Sequence, residues 1–164
     1  MRRSHATSFI DSKGFTLLEL MVVLGIVAIL SVAAIPNFGS WLPKAETGSA
    51  AREILTTIQL AKMAAIKDSA NVVVHFTVAT GECLAFVDDG AGGGTADDRV
   101  RNGSERLVRR YKVPPGVTLS LPSFGADLEF SNRGLPTAGG DVSVAGSGRT
   151  KTIRVLPSGH ARIM

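Results

Sequence analysis

The longest apolar stretch of the chain lies near its N-terminus, between Phe15 and Ile35. It reads FTLLELMVVLGIVAILSVAAI and contains one ionisable side chain, that of Glu19. At about 1.5 Å per residue, a helix of this length extends over about 30 Å, which is the thickness of the hydrocarbon core of a bilayer. The pattern therefore predicts a transmembrane helix over residues 15–38 rather than a buried helix of a soluble protein.

Apolar residues then recur every three or four positions, which predicts an amphipathic helix over residues 39–68. The apolar stripe consists of Ala51, Ile54, Leu55, Ile58, Ala61 and Ala65. Pro36 lies inside the combined helix and predicts a kink, because proline lacks the N–H group that a helix needs. Pro43 leaves a break of the helix at that position open as an alternative.

Strand-forming segments separated by Gly, Pro and Asn turns fill residues 69–164. The predicted strands are 71–78, 83–88, 105–113, 117–121, 127–131, 141–145, 150–156 and 160–163. A long helix followed by antiparallel strands is an α+β arrangement. The predicted fold class is therefore α+β, with a long N-terminal helix (a transmembrane half and an amphipathic half) packed on a C-terminal antiparallel β-sheet head.

The composition and the motif content of the chain exclude several kinds of functional site. The chain has 164 residues, a net charge of +4 and one cysteine, so it has neither a disulfide framework nor a Cys-rich zinc site. No metalloprotease, P-loop, nucleophile-elbow or Rossmann motif occurs in the sequence. We expect Cys83 to be a small buried residue and His75 to be a surface or packed residue of a strand. We therefore expect a protein that is not an enzyme and has no cofactor and no metal site.

Four carboxylates frame a glycine-rich segment between Asp88 and Asp98. Ca²⁺ takes about six to eight oxygen ligands, so such a segment is a candidate calcium site. The spacing does not match the EF-hand pattern, and Gly92–Gly94 offer no side-chain ligands. We expect a mobile, solvated loop, with calcium binding as the open alternative.

Basic residues precede the apolar stretch, where Arg2, Arg3 and Lys13 outnumber Asp11. This bias predicts a cytoplasmic N-terminus and a translocated C-terminal body. Small residues around Ala33 and Ala34 also suit a secretory signal, so a mature chain that starts near Ala34 is a competing interpretation. The length of the apolar run and the charge of Glu19 inside it argue against that interpretation.

Residues Lys13-Gly14-Phe15-Thr16-Leu17-Leu18-Glu19-Leu20, followed by the apolar run and Pro36, resemble the class III leader and helix start of type IV pilins and pseudopilins. The resemblance implies that residues 1–14 are a leader, that prepilin peptidase cleaves between Gly14 and Phe15, and that the new amine of Phe15 is methylated. It also implies that Glu19 pairs with the Phe15 amine of a neighbouring subunit during assembly. From the residues alone, a Glu19 that merely reaches the lipid head groups is the alternative.

Two segments of the predicted head, 130–136 and 153–163, resemble the GspH/FimT group of minor pilins and pseudopilins. The resemblance implies a structural subunit of a type IV pilus or a type II secretion pseudopilus. Its implied partners are other pilins or pseudopilins, prepilin peptidase, the inner-membrane assembly platform and, before assembly, the lipid bilayer. The implied location is the bacterial inner membrane, crossed once with the N-terminus cytoplasmic and the head periplasmic, and afterwards the pilus or pseudopilus.

Basic residues near the C-terminus raise a second hypothesis, because Lys and Arg bind nucleic-acid phosphates. These residues are Arg149, Lys151, Arg154 and Arg162. Some minor pilins of this group bind DNA through a basic G-R-x-R tail, whereas Gly159-His160-Ala161-Arg162 has His at the first Arg position. A DNA-binding minor pilin is therefore the alternative function, and a signal-anchored periplasmic protein of other function is a third.

Overall fold

The computed structural model describes residues 15–164, with side chains described outside 33–44. The predicted leader 1–14, including Gly14, and the side chain of Pro36 lie outside the described residues, so leader cleavage and the kink stay predictions. The chain divides after Gly39 into two units, which are described separately.

One helix, α1, runs from Leu17 to Asp68 and includes both predicted helical halves. The helical backbone continues through Pro43, so the alternative of a break there is wrong. Where side chains are described, no helix is both long enough and apolar enough to cross a membrane. The predicted span 15–38 extends into residues without described side chains and stays a prediction.

Eight antiparallel strands form the rest of the head and confirm the predicted α+β class. The first sheet contains β1 (Val72–Thr77), β2 (Glu82–Val87), β3 (Leu107–Lys112) and β5 (Asp127–Phe130), in the order β3-β2-β1-β5. The second contains β4 (Val117–Leu119), β6 (Gly140–Gly146), β7 (Arg149–Val155) and β8 (Ala161–Ile163), in the order β4-β6-β7-β8. Each predicted strand is present, whereas the division of the strands into two sheets was not predicted.

One hydrophobic cluster joins α1 to both sheets. The buried side of α1 follows the predicted stripe, with Ile54 and Ile58 fully buried among small alanines. These residues meet alternate strand residues, such as Val74 on β1 and Val144 on β6. Because burial of a Val, Ile or Phe side chain contributes about 1.5–3 kcal/mol, this cluster supplies the main stabilisation of the head.

Two turns pack against α1 near its C-terminal end, and each requires a glycine. Gly134 has a φ of 72°, and a Cβ there would lie 2.7 Å from Cδ1 of Ile66. Gly159 has a φ of 74°, and a Cβ there would lie 2.6 Å from the carbonyl oxygen of Gly134. The ammonium of Lys62 donates a hydrogen bond to the carbonyl of Gly159 over 3.1 Å. Segments 130–136 and 153–163 therefore meet each other on α1.

A second buried patch lies on the opposite face of the first sheet. Val73 and Phe86 are paired across β1 and β2 and are 0% and 1% exposed, although neither belongs to the main cluster. Because neighbouring strand residues alternate between faces, both side chains point away from α1. Arg99 forms an ion pair with Glu129, which lies opposite Val73 on β5. We infer that segment 88–106 folds back over this face and shields it from solvent.

Candidate functional site

The start of α1 is capped by the side chain of Thr16. The N–H of Glu19 donates to Oγ1 of Thr16 over 3.2 Å, and the N–H of Leu20 donates to the Thr16 carbonyl over 3.2 Å. A capping Thr contributes about 1 kcal/mol to a helix. Thr16 was not predicted as a functional residue, although the Thr-x-x-Glu spacing is the sequence signal of a capping box.

The first turns of α1 present apolar side chains on all sides. Phe15 is 80% exposed and Leu17 is 77% exposed. The other exposed large apolar side chains of this segment are Leu18, Leu20, Met21, Val22, Val23, Leu24, Ile26, Val27, Ile29, Leu30 and Val32. An apolar surface of this extent marks a contact with lipid or with another protein.

Glu19 is the one charged side chain between Phe15 and Val32, and it is exposed. It lies in the first turn of α1, where the positive end of the helix dipole favours a carboxylate. This placement suits a pairing with an ammonium, but the pairing itself stays a prediction.

The four basic residues predicted for DNA contact lie on two faces of the second sheet. Arg149 and Lys151 share the alternation of the buried Ile153, so they lie on the α1 side of β7. Arg154 lies on the opposite face, directly across from Arg162 on β8. Arg149 and Lys151 therefore lie together on one face, and Arg154 and Arg162 lie together on the other, so the four residues do not form one cluster. DNA contact stays a prediction.

The two faces also differ in charge pairing. Arg154 donates two hydrogen bonds to the carboxylate of Asp141, over 2.8 Å and 2.9 Å. Asp141 is paired with Arg154 in the register of β6 and β7, and Arg162 follows on β8. On the outer face, an acid therefore neutralises one of the two arginines.

Arg149 and Lys151 line a cavity of about 230 Å³ beside α1. The other lining residues are Ala45, Thr47, Gly48 and Arg52. Thr47 is buried, and its hydroxyl donates to the carbonyl of Gly146 over 3.2 Å, which joins α1 to β6 at this point. Arg52 was not predicted for this site, because its sequence position gives no sign that α1 and β7 meet.

Four of the five arginines between residues 99 and 112 are paired with carboxylates. The pairs are Arg99–Glu129, Arg106–Asp68, Arg109–Glu53 and Arg110–Glu82. Exposed ion pairs of this kind contribute only about 0–1 kcal/mol each. They do, however, neutralise much of the positive charge of residues 99–112, so this segment is not a strongly cationic surface.

The carboxylate of Asp88 is built into the glycine-rich loop. Asp88 is 2% exposed, and its two oxygens accept the N–H groups of Asp97 and Arg99 over 2.9 Å and 2.8 Å. Asp98 also accepts a backbone N–H, that of Val100, over 2.8 Å. The prediction of a solvated loop is therefore wrong for Asp88, because its side chain holds the loop together from inside.

Glu105 closes the same loop from its other end. It is 1% exposed, and its oxygens accept the N–H groups of Gly90 and Asn102 over 3.1 Å and 2.9 Å. Nothing in the local sequence distinguishes Glu105 from a solvated acid, so it was not predicted. In the part of the chain that the structure describes, no group of three or more His, Cys, Asp or Glu side chains could hold a metal ion.

Asp88 and Asp141 should titrate on opposite sides of the ordinary aspartate pKa of 3.8. Burial raises the pKa of Asp88, outweighing the N–H groups of Arg99 and Asp97, which lower it. The hydrogen bond from Arg154 lowers the pKa of Asp141. Because its pKa is raised in the folded state, Asp88 binds a proton more strongly there than in the unfolded chain. Its contribution to the free energy of unfolding is therefore present at low pH and is lost as pH rises through the raised pKa. The Asp141 contribution is lost as pH falls from 3.8 through its lowered pKa.

A ¹³C NMR titration of the side-chain carboxyls in the full chain measures both pKa values. Arg154→Gln should return the pKa of Asp141 toward its ordinary value and leave that of Asp88 unchanged. Asp88 serves as the internal control because its hydrogen-bond partners, Asp97 and Arg99, lie in a different part of the head. Coincident pKa values for the two aspartates in the unmodified chain would contradict this prediction.

Cys83 on β2 and His75 on β1 have the surroundings of structural residues. Cys83 is 1% exposed, and burial raises the pKa of its thiol to about 12, which confirms the prediction of a small buried residue. A thiol with such a pKa stays protonated at neutral pH and is a poor nucleophile. His75 is half-buried on β1, with Nδ1 2.6 Å from Oδ1 of Asp127 on the neighbouring β5.

Two family models match the sequence. Residues 50–159 match the family described as type II transport protein GspH. Residues 11–35 match the prokaryotic N-terminal methylation motif. The first match covers most of the head together with the second part of α1, and the second covers the apolar start of the chain.

Curated proteins of similar sequence include three with informative names. The pilin-like protein PilA1 of Thermus thermophilus is 29% identical over an alignment of 159 residues, which covers 92% of this chain and 97% of that protein. The competence protein ComGD of Bacillus subtilis is 25% identical over 153 residues, 93% of this chain and 94% of that protein. Prepilin peptidase-dependent protein D of Escherichia coli is 61% identical over 33 residues, which are 20% of this chain and only 23% of that protein.

Solved structures with the same fold include two pilin-like proteins. The type IV minor pilin FimU of Pseudomonas aeruginosa has a TM-score of 0.56 at 14% identity, covering 74% of this chain and 90% of that one. The minor pseudopilin EpsH of Vibrio cholerae has a TM-score of 0.55 at 15% identity, covering 73% and 96%. At such low identity the likeness establishes the fold alone.

Proposed function

Because the chain belongs to the GspH family and carries the N-terminal methylation motif, we propose that it is a minor pilin or minor pseudopilin. In this proposal it is a structural subunit of a type IV pilus or a type II secretion pseudopilus, and not an enzyme. The observation that carries the proposal is the methylation motif placed on a capped helix whose apolar side chains are exposed on all sides. Such a helix has to be covered by lipid or by neighbouring subunits.

Processing is the first step of the proposed function. Prepilin peptidase cleaves between Gly14 and Phe15 on the cytoplasmic side and methylates the new amine of Phe15. Two observations support this step: the match of residues 11–35 to the methylation motif and the local identity to a prepilin peptidase-dependent protein. Cleavage at this position leaves Thr16 directly behind the new N-terminus, so the cap of α1 is retained.

Before assembly, the subunit stays in the bacterial inner membrane with its N-terminus cytoplasmic and its head periplasmic. The excess of Arg and Lys before Phe15 supports this orientation. The inner-membrane assembly platform then transfers the subunit into the filament beside other pilins or pseudopilins. In the bilayer an unpaired carboxylate costs about 2.5–3.5 kcal/mol, so pairing of Glu19 with the methylated amine of a neighbour favours assembly.

Co-expression of the full chain with prepilin peptidase, followed by mass spectrometry of the N-terminus, tests the proposal. The expected product begins with methylated Phe15, and the same chain expressed with an inactive peptidase keeps residues 1–14. A product that begins near Ala34 would show a secretory signal instead. The processed chain is then expected in the sheared filament fraction, and its absence from that fraction would contradict a filament role.

DNA binding is the second candidate function, and the unpaired cations of the second sheet are the observation that favours it. Arg149, Lys151 and Arg162 are the cationic positions without a carboxylate partner among the described residues of β7 and β8. Charge reversal of these three residues should abolish a salt-sensitive gel shift of duplex DNA. Unchanged gel-shift behaviour of the triple variant would remove this candidate.

A further inference from the structure

Among the strands that the structure describes, β3 leaves one edge without a partner strand. It is the outermost strand in the order β3-β2-β1-β5. On the β2 side, the N–H of Val113 donates to the carbonyl of Gly81 over 2.9 Å. Because the backbone groups of successive strand residues face opposite sides, those of Arg110 and Lys112 face away from β2. Both residues are exposed, and such an edge offers its N–H and C=O groups to a strand of another chain.

A cavity of about 530 Å³ adjoins the C-terminal end of this edge. Ligand pockets in proteins have volumes of about 300–1,000 Å³, so the cavity is large enough for a bound side chain. Its wall is mainly apolar and includes Val78, Val113, Pro115, Val117 and Leu119. Lys112 is the one charged residue among the described residues that line it. Lys112 therefore belongs both to the free edge and to the cavity.

The ammonium of Lys112 forms no ion pair within the part of the chain that the structure describes. Glu82 lies directly opposite Lys112 in the register of β2 and β3. Its carboxylate, however, accepts from Nε of Arg110 over 2.8 Å. The cation beside the cavity is therefore available to an acid of another molecule.

The charges of β3 disfavour a second copy of the same strand as the partner. Arg109, Arg110 and Lys112 lie close together in the sequence. Antiparallel pairing of two β3 edges centred on Arg110 would place two copies of this arginine opposite each other. Like charges at facing positions destabilise a sheet, and proteins use such charges to prevent pairing of identical edges. A strand that carries a carboxylate meets no such repulsion.

We propose that the edge of β3 and the adjoining cavity bind an extended segment of another polypeptide, which adds a strand to the four of the first sheet. The backbone of the segment pairs with Arg110 and Lys112, an apolar side chain enters the cavity, and a carboxylate meets the ammonium of Lys112. In strand addition, main-chain hydrogen bonds supply affinity and side-chain pockets supply specificity. The contact needs neither a membrane nor a filament, so it goes beyond the proposed function and does not depend on peptidase processing.

Fluorescence anisotropy of labelled synthetic peptides with the full chain in detergent tests this site, with empty micelles as the background. The first peptide, Thr-Val-Thr-Val-Glu-Val with blocked termini, combines strand-forming residues with one carboxylate. The second has Lys in place of Glu and should bind about fivefold more weakly. The third has two consecutive prolines in its middle, so it lacks a backbone donor toward β3 in either register and should not bind.

Two substitutions of the chain separate the backbone contact from the charge contact. Arg110→Pro removes an N–H that faces away from β2, so β3 stays paired while strand addition is blocked. Arg110→Gln is the matched control, because both variants release Glu82 and only proline removes the N–H. The first peptide should bind Arg110→Pro at least about tenfold more weakly than Arg110→Gln. Lys112→Gln should abolish the preference for the first peptide over the second. Equal melting temperatures show that the head of each variant remains folded.

Several results would overturn the site. Equal affinity for the first and third peptides, or no binding of the first at about 1 mM, would rule out strand addition. Equal binding by Arg110→Pro and Arg110→Gln would remove the edge of β3 as the site. A preference for Glu over Lys that persists in Lys112→Gln would remove Lys112 as the partner of the carboxylate. Self-association in analytical ultracentrifugation that only Arg110→Pro abolishes would identify a second copy of the chain as the occupant.

Discussion

Glu105→Ala should lower the free energy of unfolding of the head by about 3–5 kcal/mol. The carboxylate is 1% exposed and accepts the N–H groups of Gly90 and Asn102. A hydrogen bond to a charged group contributes about 1.5–3 kcal/mol, and both donors lose their acceptor in the variant. Segment 88–106 then no longer stays packed over the outer face of the first sheet, where Val73 and Phe86 are buried.

Urea unfolding of the full chain in detergent, followed by near-ultraviolet circular dichroism, measures the loss. Hydrogen exchange localises it, because the amides of Gly90 and Asn102 should exchange much faster in the variant. Glu105→Gln should cost less, since it keeps one acceptor oxygen. Asp89→Ala is the matched control in the same loop: its carboxylate is exposed and accepts one backbone N–H, that of Ala91, so the loss should stay within about 1 kcal/mol. Equal losses for Glu105→Ala and Asp89→Ala would refute a structural role of the buried acid.

Glu19→Gln should leave processing intact and reduce incorporation into filaments about a hundredfold. A neutral amide enters a bilayer more easily than a carboxylate, so insertion is not expected to suffer. The variant instead lacks the partner of the methylated amine on the neighbouring subunit. An unpaired charge in the bilayer costs about 2.5–3.5 kcal/mol, which corresponds to the expected factor.

Immunoblots of sheared filaments and of membranes, together with mass spectrometry of the N-terminus, measure this effect. Thr16→Val is the control, because it removes the hydroxyl that caps α1 and keeps the carboxylate of Glu19. Loss of the cap costs about 1 kcal/mol of helix stability, so this variant should still assemble. If Glu19→Gln reached filaments at the level of the unmodified chain, the carboxylate would have no part in assembly.

The helix and the strands could be predicted because each one depends on local sequence. The stripe of Ile54 and Ile58 has helical spacing, and both residues are buried. β1 and β2 are joined at Gly81, whose φ of 65° suits a turn that was predicted from the sequence. The burial of Cys83 follows from its place in a strand of apolar residues.

The loop after β2 could not be predicted in the same way. Its glycines and acids have the composition of a solvated segment, yet Asp88 and Glu105 are buried. Each acid accepts two backbone N–H groups from residues at least three positions away along the chain. Composition reports the polarity of a side chain, but it does not report which backbone group the side chain will meet.

The sequence by itself determined the long helix, the eight strands and the resemblance to pilins, because periodicity, turn residues and a contiguous motif are local properties of the chain. Only the tertiary structure decided which charges meet. It placed Arg52 beside Arg149 and Lys151, which are about a hundred residues further along the chain, and it separated them from Arg154 and Arg162. The physical reason is that electrostatic interaction depends on distance in space, and distances between remote residues are set by the packing of α1 on the two sheets.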